Sequence, residues 1–255
     1  MSALLATLGL GAADWLWVAL SVVLAYTVFG FGGFGAGVVG LPLIVHVLPL
    51  RTAVPTTLLL DLTFSLWLGL KARQLVERGE LLRLAPWAVG GMAVGVLALT
   101  RVPEAWLVAV LGSFVTLYAL HSLFGRAATA PVSPRWAVPT GLVGGVFTAL
   151  FGTGGPVYTL YLARRIADTA RLRASIGTLV FVAAVLRLAL FSAGGLYTSV
   201  RLPLLALTLL PGAGLGFWLG SRLHARLPER QVRRLIWVLL VASGLSLLAR
   251  ASTGH

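Results

Sequence analysis

One arginine and one aspartate stand inside long apolar runs, and they set the chemistry open to this chain. Arg187 lies far from either end of the run 174–192, and Asp61 is the acidic residue well inside the run 54–71. A charge in a hydrocarbon interior costs about 2.5 to 3.5 kcal/mol on insertion scales, so Arg187 must face a partner or water. Its guanidinium fork suits an oxyanion bound through paired hydrogen bonds, and a structural ion pair is the other reading. Asp61 is either the counter-ion of Arg187 or a coupling group that takes up a proton when desolvated. His46 is a hydrogen-bonded core residue or a second coupling or gating group. Thr56 and Thr57, matched by Ser175 and Thr178, carry hydroxyls that line a site or cap their own helices. Tyr158 adds a phenol to the same region of the second half.

Beside these side chains stand two glycine-rich breaks, Gly30-Phe-Gly-Gly-Phe-Gly-Ala-Gly37 and Gly152-Thr-Gly-Gly-Pro156, each leading through Pro42 or Pro156 into a short apolar stretch. The N–H groups opening such a helix lack internal partners and carry partial positive charge. Gly33, Phe34, Gly35 and Gly37 from one break, and Thr153, Gly154 and Gly155 from the other, are therefore placed around a bound anion. Close helix packing is the competing reading of the glycines. The first run also fits G-x-G-x-x-G, but no strand precedes it and no βαβ unit surrounds it, so dinucleotide binding is excluded.

The elements that must position these groups follow from composition. The chain is 58% hydrophobic and 11% charged, far below the roughly 25% charge of soluble domains. Apolar runs at 14–31, 54–71, 84–101, 104–123, 136–151, 174–192, 202–221 and 232–249 are long enough for membrane-spanning helices. The stretches after the breaks, 37–50 and 154–163, are too short as helices alone. An offset of about 120 residues aligns the two breaks and brings Arg51 onto Arg171, which marks an internal duplication.

Charge decides whether the short stretches cross. If both do, about fifteen Lys and Arg residues from Lys71 to Arg234 collect on one side, against Arg51, Arg101, Arg201 and Arg250 on the other. If neither does, the asymmetry vanishes. The fold expected is an all-α polytopic membrane protein of two inverted-topology repeats, 1–125 and 126–255, integrated into one transport domain. Each repeat has five segments, the second short and broken by Gly and Pro, and both termini lie on the outer, non-cytoplasmic face. The opening Met1–Trp15 lacks the basic flank of a cleaved signal peptide and reads as mature chain.

No cysteine is present, and the four His and seven acids form no metal-ligand, triad or phosphate-loop motif, so no cofactor, metal or enzyme activity is expected. The net charge of +13 sits in loops between spans, which points to orientation in a bilayer rather than nucleic-acid binding. The expected partners are a small anionic substrate and the lipid bilayer, with a homodimer allowed.

The two breaks, with Pro42 and Pro156 and the following Arg51-Thr-Ala and Arg171-Leu-Arg-Ala segments, resemble the sulfite exporter TauE/SafE family of membrane permeases. The resemblance runs over nearly the whole chain. It implies a secondary carrier in the cell (inner) membrane, usually drawn as an exporter, for sulfite, sulfoacetate or a related organosulfur anion, working by alternating access and open to proton coupling. An anion channel is the alternative, with an intramembrane enzyme or scaffold behind it.

Overall fold

The computed structural model describes residues 9–32, 36–71, 73–124, 130–197, 201–224 and 229–253, and no strand occurs among them. Ten α-helices follow in order: α1 (Ala12–Gly32), α2 (Ala36–Ile44), α3 (Leu50–Lys71), α4 (Arg78–Arg101), α5 (Glu104–Phe124), α6 (Ala137–Phe151), α7 (Gly154–Leu162), α8 (Thr169–Ala193), α9 (Arg201–His224) and α10 (Glu229–Thr253). Short 3-10 turns lie at Arg73–Leu75 and Pro134–Trp136.

Several helices start earlier than hydropathy alone places them, because helix ends carry charge outward into the polar boundary. The start of α3 reaches back to Leu50, whose N–H donates to Glu104 Oε1 at 2.7 Å. The start of α8 reaches back to Thr169, capped by Asp168, which accepts from the Arg171 N–H at 2.7 Å. A carboxylate at a helix start satisfies an orphan N–H and complements the helix dipole.

Five described helices are long and apolar enough to cross a membrane: α1, α4, α5, α8 and α9. The expectation was eight. At 15 residues α6 is about 22 Å long, short of a full crossing by itself. Side chains 67–71 of α3 and 229–236 of α10 lie outside the described residues. Leu82, Trp106, Leu117, Phe124 and Leu207 are exposed on the perimeter, which suits a lipid-facing surface.

Helix packing follows one pattern. α4 packs on α6 as α1 packs on α9; α3 touches α9 as α8 touches α4; α1 touches α2 as α6 touches α7; α5 meets α10, and α3 meets α8. Exchanging the first five helices for the last five maps this set onto itself. Glycines make the main contacts possible: a Cβ on Gly91 would strike the Leu142 carbonyl and one on Gly145 the Ala88 carbonyl, while Gly216 and Gly220 lie equally close to the Val23 and Thr27 carbonyls. Such backbone approach drives helix association where lipid removes the hydrophobic incentive.

At the centre α3 and α8 run antiparallel. The start of α8 meets the segment before α4, where the Glu77 N–H donates to Ser175 Oγ at 2.9 Å. The other end meets the start of α3, where Tyr197 donates to the Pro55 carbonyl at 2.9 Å.

Candidate anion-binding site

The second break is built by α6. Its last turn closes on Gly152, which has φ +65° and donates its N–H to the Thr148 carbonyl at 2.8 Å. Thr153, fully buried, donates its N–H to the Phe147 carbonyl at 3.3 Å. This left-handed turn reverses the chain within two residues, so that α7 begins at Gly154, and only glycine takes that conformation without strain. Gly154 is held so close to α6 that a Cβ there would overlap Thr148 Oγ1 and lie 2.6 Å from the Gly144 carbonyl oxygen.

The first break meets the second directly. A Cβ on Gly37, in the first turn of α2, would lie 2.6 Å from the Phe151 carbonyl oxygen and 3.0 Å from the Gly152 carbonyl oxygen. Two stretches 115 residues apart in sequence are thus in backbone contact. Gly33, Phe34 and Gly35, which the sequence placed at this site, lie outside the described residues.

Arg187 comes to the same place from α8. Only 2% of it is exposed, and its Nε and Nη2 have no hydrogen-bond partner among the described residues. The guanidinium lies over the Phe191 ring, 5.4 Å from its centroid, one turn along α8. Its Nη1 is 3.2 Å from the point where a Cβ on Gly152 would sit, and Asp61 Oδ2, from α3, is 3.6 Å from that same point. No direct ion pair joins the two side chains. Asp61 is instead held by Tyr26 of α1, whose hydroxyl donates to Oδ1 at 2.7 Å. Arg187 therefore faces the protein interior, and Asp61 is beside it without neutralising its hydrogen-bonding capacity.

The other expected site residues are placed as follows. Gly155 and Tyr158 are buried in α7; the Tyr158 hydroxyl is 3.2 Å from Thr148 Oγ1, which itself donates to the Gly144 carbonyl at 2.6 Å. Thr56 and Thr57 donate to carbonyls of their own helix, Thr56 to Thr52 and Thr57 to Ala53 and Val54. Ser175 is at the Glu77 end of α8, about 18 Å along the helix from Arg187, and half-buried Thr178 about 13 Å. His46 sits in the turn after α2, bonded through Nδ1 to the Pro42 carbonyl at 2.7 Å and through Nε2 to Ser246 Oγ at 2.9 Å, away from Asp61. Arg187, Asp61, Gly37 and the 152–155 turn are the expected residues brought together.

Sequence reasoning missed Tyr26, although a lone phenol in the middle of an apolar span is itself a signal. It also missed Glu80, whose Oε1 accepts from Arg83 Nη1 at 2.7 Å and Arg165 Nη2 at 2.8 Å, while Oε2 accepts from the Tyr161 hydroxyl at 2.6 Å. Beside it, Arg171 Nη1 pairs with Glu77 Oε1 at 2.7 Å.

Comparison with known proteins now identifies the framework. The model of the sulfite exporter TauE/SafE family matches residues 18–247. The chain belongs to the TauE/SafE family. A curated relative, the probable inner membrane transporter protein TsaS of Comamonas testosteroni, is 35% identical over 185 residues, covering 70% of this chain and 75% of the relative. No solved structure matches. Membership makes the chain a multi-pass membrane transporter, and both glycine breaks, Arg187 and Asp61 fall inside the matched region.

Proposed function

We propose that this transporter is a secondary carrier of a small organosulfur anion, of the sulfite or sulfoacetate class, and that the anion is held by Arg187 at the Gly152–Gly155 turn. The observation that carries the reading is a buried guanidinium with two unpartnered N–H-bearing nitrogens beside the start of a short helix. An unpaired buried charge is strongly unfavourable. An oxyanion supplies its missing partner, and the open N–H groups of α7 add to the same field. The class of anion rests on the family and the relative, and export is the direction the family name gives.

In this reading the chain spans the inner membrane as two inverted repeats, divided between Phe124 and Ala137, with both termini outside. The matched helix pairs and the contact of the two breaks support it, since inverted repeats place their substrate where broken helices meet. Access alternates from one end of the α3–α8 pair to the other, and Asp61 is the group through which a proton gradient can act.

The test is exchange in proteoliposomes. Sulfoacetate trapped inside should accelerate entry of labelled sulfoacetate through the wild-type protein, and Arg187→Gln should reduce that exchange at least a hundredfold, the loss of roughly 3 kcal/mol of charged hydrogen bonding. Exchange at the wild-type rate in a folded Arg187→Gln protein removes Arg187 from the site.

A further inference from the structure

Charge balance around Arg187 says more than that an anion binds. The groups facing Asp61 and Arg187 can be named helix by helix. α1 supplies Tyr26, bonded to Asp61 Oδ1. α7 supplies Tyr158 and the turn after α8 supplies Tyr197, both within electrostatic range of the guanidinium. The titratable residues of α9 are at its ends, Arg201, Arg222 and His224, and α4 has none between Arg83 and Arg101. α2 has none in its helical residues. Among the described residues, the surroundings of the Gly152 turn thus contain one cation and one carboxylate, on either side of that turn, and three phenols that stay neutral near pH 7.

With no anion bound, Arg187 and Asp61 sum to zero. A monoanion on Arg187 alone leaves the site at −1, a state that the low-dielectric interior penalises by several kcal/mol. A proton on Asp61 restores zero. Oδ2 is the atom placed to take it: Oδ1 is occupied by the Tyr26 hydroxyl, whereas Oδ2 faces Gly152 together with Arg187 Nη1. A protonated Oδ2 then presents an O–H donor toward the anion on the guanidinium. We propose that Asp61 takes up a proton whenever Arg187 takes up an anion, so that anion and proton travel together, one proton for each monoanion bound. This deepens the anion-site reading and rests on it.

The alternative, exchange of an anion for a proton, fails the same count. It needs a protonated empty site at +1 and an unprotonated loaded site at −1, so both moving forms carry buried net charge. Symport keeps both at zero. Direction then follows the two gradients: one pH unit balances a tenfold ratio of a monoanion, so with a more acidic exterior, export runs only while the internal anion exceeds that ratio. Tyr26 is a positioning residue that fixes which carboxyl oxygen faces the anion.

The decisive experiment measures proton uptake during anion binding to the purified full chain in weakly buffered detergent solution, between about pH 5 and 8, with methanesulfonate, isethionate and sulfoacetate as probes. Methanesulfonate and isethionate are permanently ionised monoanions, so any proton taken up belongs to the protein. Expected is a maximum close to one proton per methanesulfonate bound, and none for Asp61→Asn, which still binds but with an affinity that changes less than twofold across the range. Tyr26→Phe should retain uptake with its pH midpoint displaced. Binding of methanesulfonate with no proton uptake by the wild-type protein overturns the symport proposal and leaves the anion site standing. Persistent uptake in Asp61→Asn assigns the proton elsewhere and also overturns it. If none of the three probes binds the wild-type protein, the anion-site reading itself falls. The wild-type measurement decides the matter even if Asp61→Asn does not fold.

Discussion

The two ends of the α3–α8 pair are built on one plan and differ in charge. At one end a cavity of about 490 Å³ is lined by Glu77 and Glu80 before and in α4 and by Arg165, Ile166, Ala167, Asp168 and Arg171 around the start of α8. At the other, a cavity of about 350 Å³ is lined by Val47, Leu48, Pro49, Arg51 and Thr52 around the start of α3 and by Arg201, Leu202 and Leu205 of α9, with Gly9 and Leu10. They correspond when the first five helices are exchanged for the last five: each joins the start of the third helix of one set to the start of the fourth helix of the other. The first is acid-bearing and cross-linked by Glu80, Glu77 and their arginines. Among the described residues, the charges on the second lining are those of Arg51 and Arg201, and Arg51 is turned to the carbonyls of Leu99 and Val102. Equivalent backbone thus supports a clamped mouth at one end and a cationic mouth, favourable to an arriving anion, at the other.

Removing the clamp should have the largest effect. Glu80→Gln leaves Arg83, Arg165 and Tyr161 without their shared carboxylate in a site where Glu80 is 9% exposed. Breaking such a pair from one side costs roughly 3 kcal/mol, visible as a lower unfolding temperature in detergent. The same change should open the mouth. Because the chain has no cysteine, a single Ser175→Cys reports on this directly. Its labelling should be slow in the wild-type background and at least tenfold faster with Glu80→Gln, and equal rates would mean that the ion pairs do not close this end.

Next comes the contact between the breaks. Gly37→Ala places a methyl 2.6 Å from the Phe151 carbonyl oxygen, whereas Gly90→Ala meets its nearest neighbour, Leu142 Cδ2, at 3.8 Å. The first should cost about 1 to 3 kcal/mol and impair exchange, and the second should be nearly silent in both. Equal behaviour would separate the breaks from transport.

The smallest effect is expected at the cationic mouth. Arg51 is exposed, so Arg51→Gln should change stability by less than about 1 kcal/mol, and slow anion entry most at low salt. Sidedness sharpens the contrast. Thr52→Cys should react with an impermeant reagent from outside intact cells, and Gly79→Cys, where a side chain meets nothing within 4 Å, only from inside. Labelling of both from one side contradicts the inverted arrangement.

What the sequence made legible was set by locality. The helices and the two short segments follow from apolar runs and from Gly and Pro, whose effects act within a few residues. Arg187 and Asp61 stood out because a charge inside an apolar run is itself the signal. Tyr26 meeting Asp61, Gly37 meeting Gly152, and Tyr161 with Arg165 meeting Glu80 are separated by 35 to over 100 residues, and no local rule brings such pairs together. The hydroxyls of Thr56 and Thr57 illustrate the converse. Equivalent positions in the two halves left lining and helix capping both open, and a carbonyl one turn back accepts from each hydroxyl.

The central claim is that the unpartnered guanidinium of Arg187 is the anion receptor, and anion-dependent stabilisation of the purified protein tests it most directly. Binding at about a hundred times Kd adds roughly 2.7 kcal/mol to the folded state. Sulfite, sulfoacetate or methanesulfonate should therefore raise the unfolding temperature of the wild-type protein and of Arg51→Gln alike, and leave Arg187→Gln unmoved, with Arg187→Lys intermediate because it keeps the charge and loses the fork. An undiminished shift in Arg187→Gln, or one lost only in Arg51→Gln, would place the anion at the mouth and contradict the account.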